Sequence, residues 1–157
     1  MLMKTLLVKL DIGKPLSINN KMIPSRGRLV KAKNYRIYEE KLDKELAKYF
    51  DHFRVLGNNY SGDRHALEVK WSIYVPQSEF FTKKKTISKT CIDATNCVKI
   101  MEDRLAKILG VDDSQICESS VKKIPTNSNS WCVVLELSLV PYPLVVPLND
   151  EKWLPVF

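Results

Sequence analysis

The stretch DATNCVKIMEDRLAKILGVDDSQI, residues 93–116, decides the fold, because one run holds a helix, its stop signal and the start of a strand. With Val98 set at zero and about 100° allowed per residue, Met101, Leu105, Ile108 and Leu109 fall within about 80° of it and form a buried stripe. Asn96, Lys99 and Asp103 share another flank, at about 100° to 160°. Thr95 is suited to cap the helix, with Asp93 just before it, and Gly110 to end it after Leu109. Asp112 and Asp113 then fall in the turn that leads into a strand over residues 115–124.

Outward from this helix the patterns are mostly those of strands. Residues 4–12 alternate, with Leu6, Val8, Leu10 and Ile12 on one face and Lys9 and Asp11 on the other. In HALEVKWSIYV, residues 65–75, Leu67, Val69, Trp71, Ile73 and Val75 alternate with polar or amphipathic partners until Pro76 ends the run. WCVVLELSLV, residues 131–140, is a last strand, and the turn chemistry of TNSNS, residues 126–130, predicts that it forms a hairpin with the strand before it. Tyr35, Tyr38, Leu42, Leu46 and Tyr49 recur at helical spacing and mark the core side of a second helix, which ends before a polar loop containing Gly57, Asn58, Asn59 and Gly62. Strands before and after two main helices predict an α+β fold with a mixed or antiparallel sheet packed against them. A chain of 157 residues with 45% hydrophobic content is long enough for one real core. A single domain over residues 1–157 is expected, with a Pro-rich tail from residue 141.

The charge is uneven. Between Asp93 and Glu118 six acids (Asp93, Glu102, Asp103, Asp112, Asp113, Glu118) face three bases (Lys99, Arg104, Lys107), although the whole chain carries a net charge of +7. The bases gather elsewhere. Residues 21–36 hold Lys21, Arg26, Arg28, Lys31, Lys33 and Arg36 without an acid, and Pro24, Ser25 and Gly27 mark the segment as a loop. SEFFTKKKTISKT, residues 78–90, is a second loop, with Lys83, Lys84, Lys85 and Lys89 behind Phe80 and Phe81. Rings that stack on bases beside ammonium groups that meet phosphates suit a nucleic-acid surface, and a solvated charged surface is the plainer alternative.

Other classes are excluded by pattern. Lys9 and Asp11 interrupt the apolar start and no small-residue cleavage site follows, so a signal peptide is not expected. Pro141, Pro143 and Pro147 break the apolar LVPYPLVVPL, which is too short and kinked to span a bilayer. Cys91, Cys97, Cys117 and Cys132 contain no C-x-x-C pair and only His52 and His65 add imidazoles, which argues against structural zinc and for reduced, mostly buried thiols. A soluble cytoplasmic protein with no membrane partner fits these features.

The acidic segment has two readings. In the plain one, Asp93 favours the helix start, Lys99 and Asp103 make an i,i+4 pair, and Asp112 with Asp113 form a polar turn. In the other, clustered carboxylates hold magnesium, whose charge overcomes their repulsion, while the basic flanks hold a phosphodiester backbone over it. A straight helix separates Asp93 from the Asp112 turn by about 20 Å. The second reading therefore needs the turn to fold back, a strand to return along the helix, or a second subunit.

The order D-A-T-N-C-V-K, helix, G-V-D-D-S-Q-I resembles the RusA family of Holliday-junction resolvases, whose pattern runs Asp-x-Asp-Asn-x-x-Lys, an Asp-containing helix, then Asp-Asp leading into a strand. P-L-S-I-N, residues 15–19, and the basic stretch after it are similar to that family's start, so the likeness extends from Pro15 to Lys123. The resemblance implies a structure-selective endodeoxyribonuclease for branched DNA such as four-way junctions, dependent on magnesium with manganese as a substitute, and working as a homodimer. By position it implies Asp93, Lys99 and Asp113 as catalytic residues; Asp93 and Asp113 are the expected principal metal ligands, with Asp103 and Asp112 as supporting carboxylates. Arg26, Arg28, Lys31, Lys33, Lys83, Lys84, Lys85 and Lys89, from the two basic segments, are the expected DNA-binding set. Asn96 and Asp103 also fall on pattern positions. Thr95 stands where the family has its second aspartate, so Asp103 or Asp112 would have to supply the absent carboxylate. The alternative is a RusA-like protein that binds junctions without cutting them.

Overall fold

The alternation read in residues 65–75 builds the central strand of a four-stranded sheet. In a computed structural model, which describes residues 4–20 and 22–141, the elements in chain order are β1 (Lys4–Leu10), β2 (Met22–Ser25), β3 (Arg28–Lys31), α1 (Lys33–Ala47), α2 (Phe50–Asn59), β4 (His65–Pro76), α3 (Gln77–Phe80), α4 (Ala94–Leu109), β5 (Ile116–Thr126) and β6 (Cys132–Pro141). The sheet order is β1-β6-β4-β5. β6 runs antiparallel to both β1 and β4, whereas β5 lies parallel to β4. The fold is thus mixed α/β, with a mixed four-stranded sheet and a small antiparallel β2–β3 pair. The Pro-rich tail lies outside the described residues from position 142 on. No helix among the described residues is long and apolar enough to cross a membrane.

The hairpin expected between the last two strands does not form, because β4 lies between β5 and β6. Turn chemistry in residues 126–130 reports only that the chain reverses; it says nothing about which strand fills the gap. β4 buries one face along its length, and as an interior strand its backbone groups must be paired on both edges. β6 takes one edge and β5 the other. Parallel pairing of β5 needs a crossover, and α4 supplies it.

Helices cover one face of the sheet. Val69, Trp71 and Ile73 of β4, Val133, Leu135 and Leu137 of β6, and Leu10 of β1 meet Tyr35, Tyr38, Leu42 and Leu46 of α1, Phe53 and Leu56 of α2, and Ile100, Met101 and Leu105 of α4. The tyrosines of α1 are core residues, as their spacing predicts. The helix does not continue through Tyr49. It breaks after Ala47, where the Tyr49 hydroxyl donates to the Lys9 carbonyl at 3.1 Å. It then resumes as α2, so Gly57, Asn58 and Asn59 form the last turn of a helix rather than a loop. Gly57 is there for close approach: a Cβ on it would lie 2.7 Å from the Leu109 carbonyl oxygen of α4.

Two basic segments are more ordered than their composition suggests. Residues 22–31 form a two-stranded hairpin with Arg26 and Gly27 at its tip, both at positive φ (48° and 72°). A two-residue turn of this kind matches the twist of its strands, at the expense of holding a non-glycine residue in the left-handed region. In the lysine loop, Phe80 is buried and belongs to the core rather than to a stacking surface. Phe81 stays exposed and packs edge-on against Phe80, with ring centroids 4.8 Å apart.

Candidate functional site

Helix α4 begins at Asp93. Its carboxylate is the N-cap, displacing Thr95 from the role its residue type suggests. Asp93 Oδ1 accepts the Thr95 amide at 3.1 Å and the Thr95 hydroxyl at 2.7 Å, while Oδ2 accepts Asn96 Nδ2 at 2.9 Å. The Thr95 hydroxyl, then the Asn96 amide N–H, hold the Asp93 carboxyl below the usual carboxylate range, and the Lys123 charge adds to this. Asn96 is thus a supporting residue, and Thr95 is spent as a donor to Asp93.

The other end of α4 explains how its second acidic group comes within reach. Gly110 closes the helix in the left-handed conformation, and the Val111 amide donates back to the Ala106 carbonyl at 3.1 Å. The chain then folds back along the helix through a single 3-10 turn, Asp113–Gln115. Lys99 Nζ donates to Asp113 Oδ2 and also reaches Asp103 Oδ1 at 2.9 Å. One ammonium therefore bridges two carboxylates that lie ten residues apart in sequence. Asp113, then Asp103, raise the Lys99 pKa well above the usual lysine value. Lys99 lies about 9 Å along the helix from Asp93. The fold-back brings Asp113 to Lys99, six residues along the chain from Asp93.

Asp112 has a local task. It caps the 3-10 turn by accepting the Ser114 amide at 2.9 Å, and its own amide donates to Gln115 Oε1 at 3.0 Å. The serine's hydroxyl and amide hold the Asp112 carboxyl below its ordinary range. Asp93 makes its hydrogen bonds within the first turn of its own helix, whereas Asp112 interacts with Asp113 and lies in the field of Lys99.

Two further groups on this flank are not singled out by the sequence patterns above. Glu102 accepts the Ser119 hydroxyl from β5. Lys123, also on β5, donates to the Ile92 carbonyl at 3.1 Å, next to Asp93. The β5 residues Ser119 and Lys123 are signalled by alternation, since they share the side of the strand that carries core-packed Val121. P-L-S-I-N also joins the site from below: Cys97 Sγ lies 3.9 Å from the Pro15 carbonyl oxygen, and the Tyr35 hydroxyl donates to the Ser17 carbonyl. Only Cys97 of the four free cysteines is buried, and Cys117 is exposed, against the expectation of mostly buried thiols.

The basic candidates separate by what they already touch. Arg26 and Arg28 are exposed at the hairpin tip, Lys33 is exposed at the start of α1, and Lys83, Lys84, Lys85 and Lys89 are exposed or partly exposed in the loop that leads to Asp93. Lys31 differs: its ammonium lies 2.5 Å from a carboxylate oxygen of buried Glu39, which Arg104 also approaches at 3.6 Å. Its charge is committed to the fold.

The oxygen donors suit a hard divalent cation in kind. Among the described residues no three acid, histidine or cysteine side chains are grouped to hold one ion. Magnesium, however, commonly uses one or two carboxylates and completes its shell with water and substrate phosphate. Asp103 and Asp113, which both reach the Lys99 ammonium, meet that smaller requirement.

The sequence model of the family Endodeoxyribonuclease RusA matches residues 13–136. The chain belongs to the RusA family. The match takes in the Pro15 segment, the basic hairpin, α4 and β5, so the groups around Asp93 and Lys99 lie within the RusA domain. RusA membership makes this a nuclease-family protein that acts on DNA. No curated protein matches the chain in sequence. Among solved structures it is similar to IspF of Plasmodium falciparum in a CDP complex, at 11% identity and TM-score 0.37, covering 90% of this chain and 96% of that one. It is also similar to the 2C-methyl-D-erythritol 2,4-cyclodiphosphate synthase of Plasmodium vivax, at 11% identity and TM-score 0.35, covering 87% and 95%. Likeness at those scores carries no argument about chemistry.

Proposed function

We propose that this RusA-family protein is a structure-selective endodeoxyribonuclease that cuts phosphodiester bonds in branched DNA such as Holliday junctions, with magnesium, or manganese in its place, as cofactor. The observation that carries the reading is the bridge from Lys99 to Asp103 and Asp113, which gathers a cation and two solvent-accessible carboxylates on one flank of α4, the helix that Asp93 caps. Asp103 and Asp113 would hold the metal, with Asp93 and Asp112 the nearest further carboxylates. Bound there, a divalent ion supplies Lewis-acid polarisation of a phosphoryl oxygen and a lowered pKa for bound water.

The chain's own groups do the rest. Lys99, its ammonium released from one carboxylate, would meet a phosphoryl oxygen and stabilise the charge that develops there. Asp93 is ionised throughout the neutral range and is held rigid by Thr95 and Asn96. Arg26, Arg28 and Lys33 of one basic segment and Lys83, Lys84, Lys85 and Lys89 of the other would supply affinity that is sensitive to salt and largely independent of sequence. A four-way junction has approximate two-fold symmetry, which a homodimer with two equivalent sites would match.

A second reading has its own support in Thr95. Its hydroxyl is a donor to Asp93 rather than a ligand, so one carboxylate of the family pattern has no replacement at its own position. On that reading the protein binds junctions and does not cut them. The experiment that separates the two is incubation of purified protein with an end-labelled four-way junction and a linear duplex of the same sequence, with magnesium and with EDTA. Magnesium-dependent nicks confined to the junction support the nuclease. Junction binding without any cleavage supports the second reading.

A further inference from the structure

Lys123 occupies a position on β5 that would ordinarily be apolar. Val121, two residues before it on the same side of the strand, packs against the core. Ser119, two earlier again, donates to Glu102 of α4. A lysine at the next position on that side is only partly exposed, and burying part of an ammonium costs free energy unless the group finds partners. It has one, the Ile92 carbonyl at 3.1 Å. An ammonium carries three donors. Among the described residues Lys123 makes no ion pair.

The neighbouring cations are already engaged. Lys14 lies 3.6 Å from Glu79 Oε2 and 5.3 Å from the centre of the Trp131 ring. Lys99 is shared between Asp103 and Asp113. Among the described residues no ion pair joins Lys123 to Asp93, whose oxygens accept from Thr95 and Asn96, although the two charges attract through space. Lys123 is therefore a cation with donor capacity to spare, held by a backbone carbonyl at the Asp93 end of α4.

We propose that Lys123 is a second phosphate-binding residue of this site, whose ammonium meets a non-bridging oxygen of the DNA backbone near Asp93 while Lys99 serves the backbone further along α4. The proposal rests on the reading of this flank as the place where DNA is held. Partial burial strengthens the contact, because a half-buried charge is less screened by water and salt than one on an exposed loop. It also fixes position, since the Ile92 bond holds the ammonium before DNA arrives.

The test uses the full chain and a labelled four-way junction in EDTA over a series of salt concentrations. Lys123→Met keeps the aliphatic stem and removes the charge; binding should weaken about tenfold, and the slope of log affinity against log salt should fall by about 0.9. Lys123→Arg should restore most of both. Wild-type affinity and slope in Lys123→Met would overturn the proposal. Should that variant fold poorly, acetylation of the wild-type protein, read by mass spectrometry, answers the same question. Bound junction should protect Lys123 and leave Lys44, exposed on α1, unchanged, and equal labelling of Lys123 with and without DNA would overturn the proposal. Neither measurement uses metal, so a wild type that binds but never cuts would count against the nuclease reading alone.

Discussion

Lys99, in the middle of α4, donates to Asp113, fourteen residues later in the turn before β5. Residues so far apart meet because Gly110 stops the helix and the chain doubles back along it, so the contact depends on the turn as much as on the two side chains. The same ammonium holds Asp103. On the proposed reading, the ammonium stands in for the metal that the two carboxylates would hold, and its release would deliver a positive charge to the substrate.

Thr95 gives the first prediction. If Asp103 supplies the carboxylate that Thr95 does not, Asp103→Asn should reduce junction cleavage as severely as Asp93→Asn. If the protein only binds, Thr95→Asp should create cleavage where there was none. Turnover of labelled junction by the three variants decides the matter, and full activity in Asp103→Asn would end the compensation argument.

The lysine loop gives the second. Replacing Lys83, Lys84 and Lys85 together by alanine should weaken binding to junctions of any sequence and lower the salt slope by roughly 0.9 for each duplex phosphate that the loop no longer neutralises. An unchanged slope would make this loop ordinary solvated surface and move the DNA path to Arg26 and Arg28. Lys31 is a useful contrast. Its replacement should lower the thermal midpoint, because it removes a partner of buried Glu39.

Gly57 gives a third, on the scaffold. Alanine is the better helix former by about 1 kcal/mol, yet here its methyl group would press on the Leu109 carbonyl. The clash should win, and Gly57→Ala should destabilise the protein by about 1–3 kcal/mol in denaturant unfolding. A stabilised variant would mean that α2 and α4 separate without penalty.

How far these features are legible in sequence follows from their range. Alternation in β4 and the apolar stripe of α4 are local, and both hold in the structure. A β5–β6 hairpin does not follow from residues 126–130, because turn residues carry no information about a third strand inserted between two others. Proline, serine and glycine in residues 22–31 suit a loop and a hairpin tip equally well, so composition does not separate the two. Asp93 as the N-cap is a local feature obscured by the equally suitable Thr95 two residues on, whereas the Lys99 bridge to Asp113 needs the path of the chain after Gly110, which no spacing rule supplies. Lys123 escapes a reading by composition because two adjacent lysines look like solvated surface, although the side shared with Val121 marks it as different.

The measurement closest to the central claim compares wild type with Asp113→Asn on a labelled four-way junction, scoring cleavage in magnesium and binding in EDTA. The substitution removes a charge while keeping shape, so cleavage should disappear and binding should remain within a few-fold of wild type. Undiminished cutting by Asp113→Asn would contradict the account and take the Lys99–Asp113 bridge out of the mechanism.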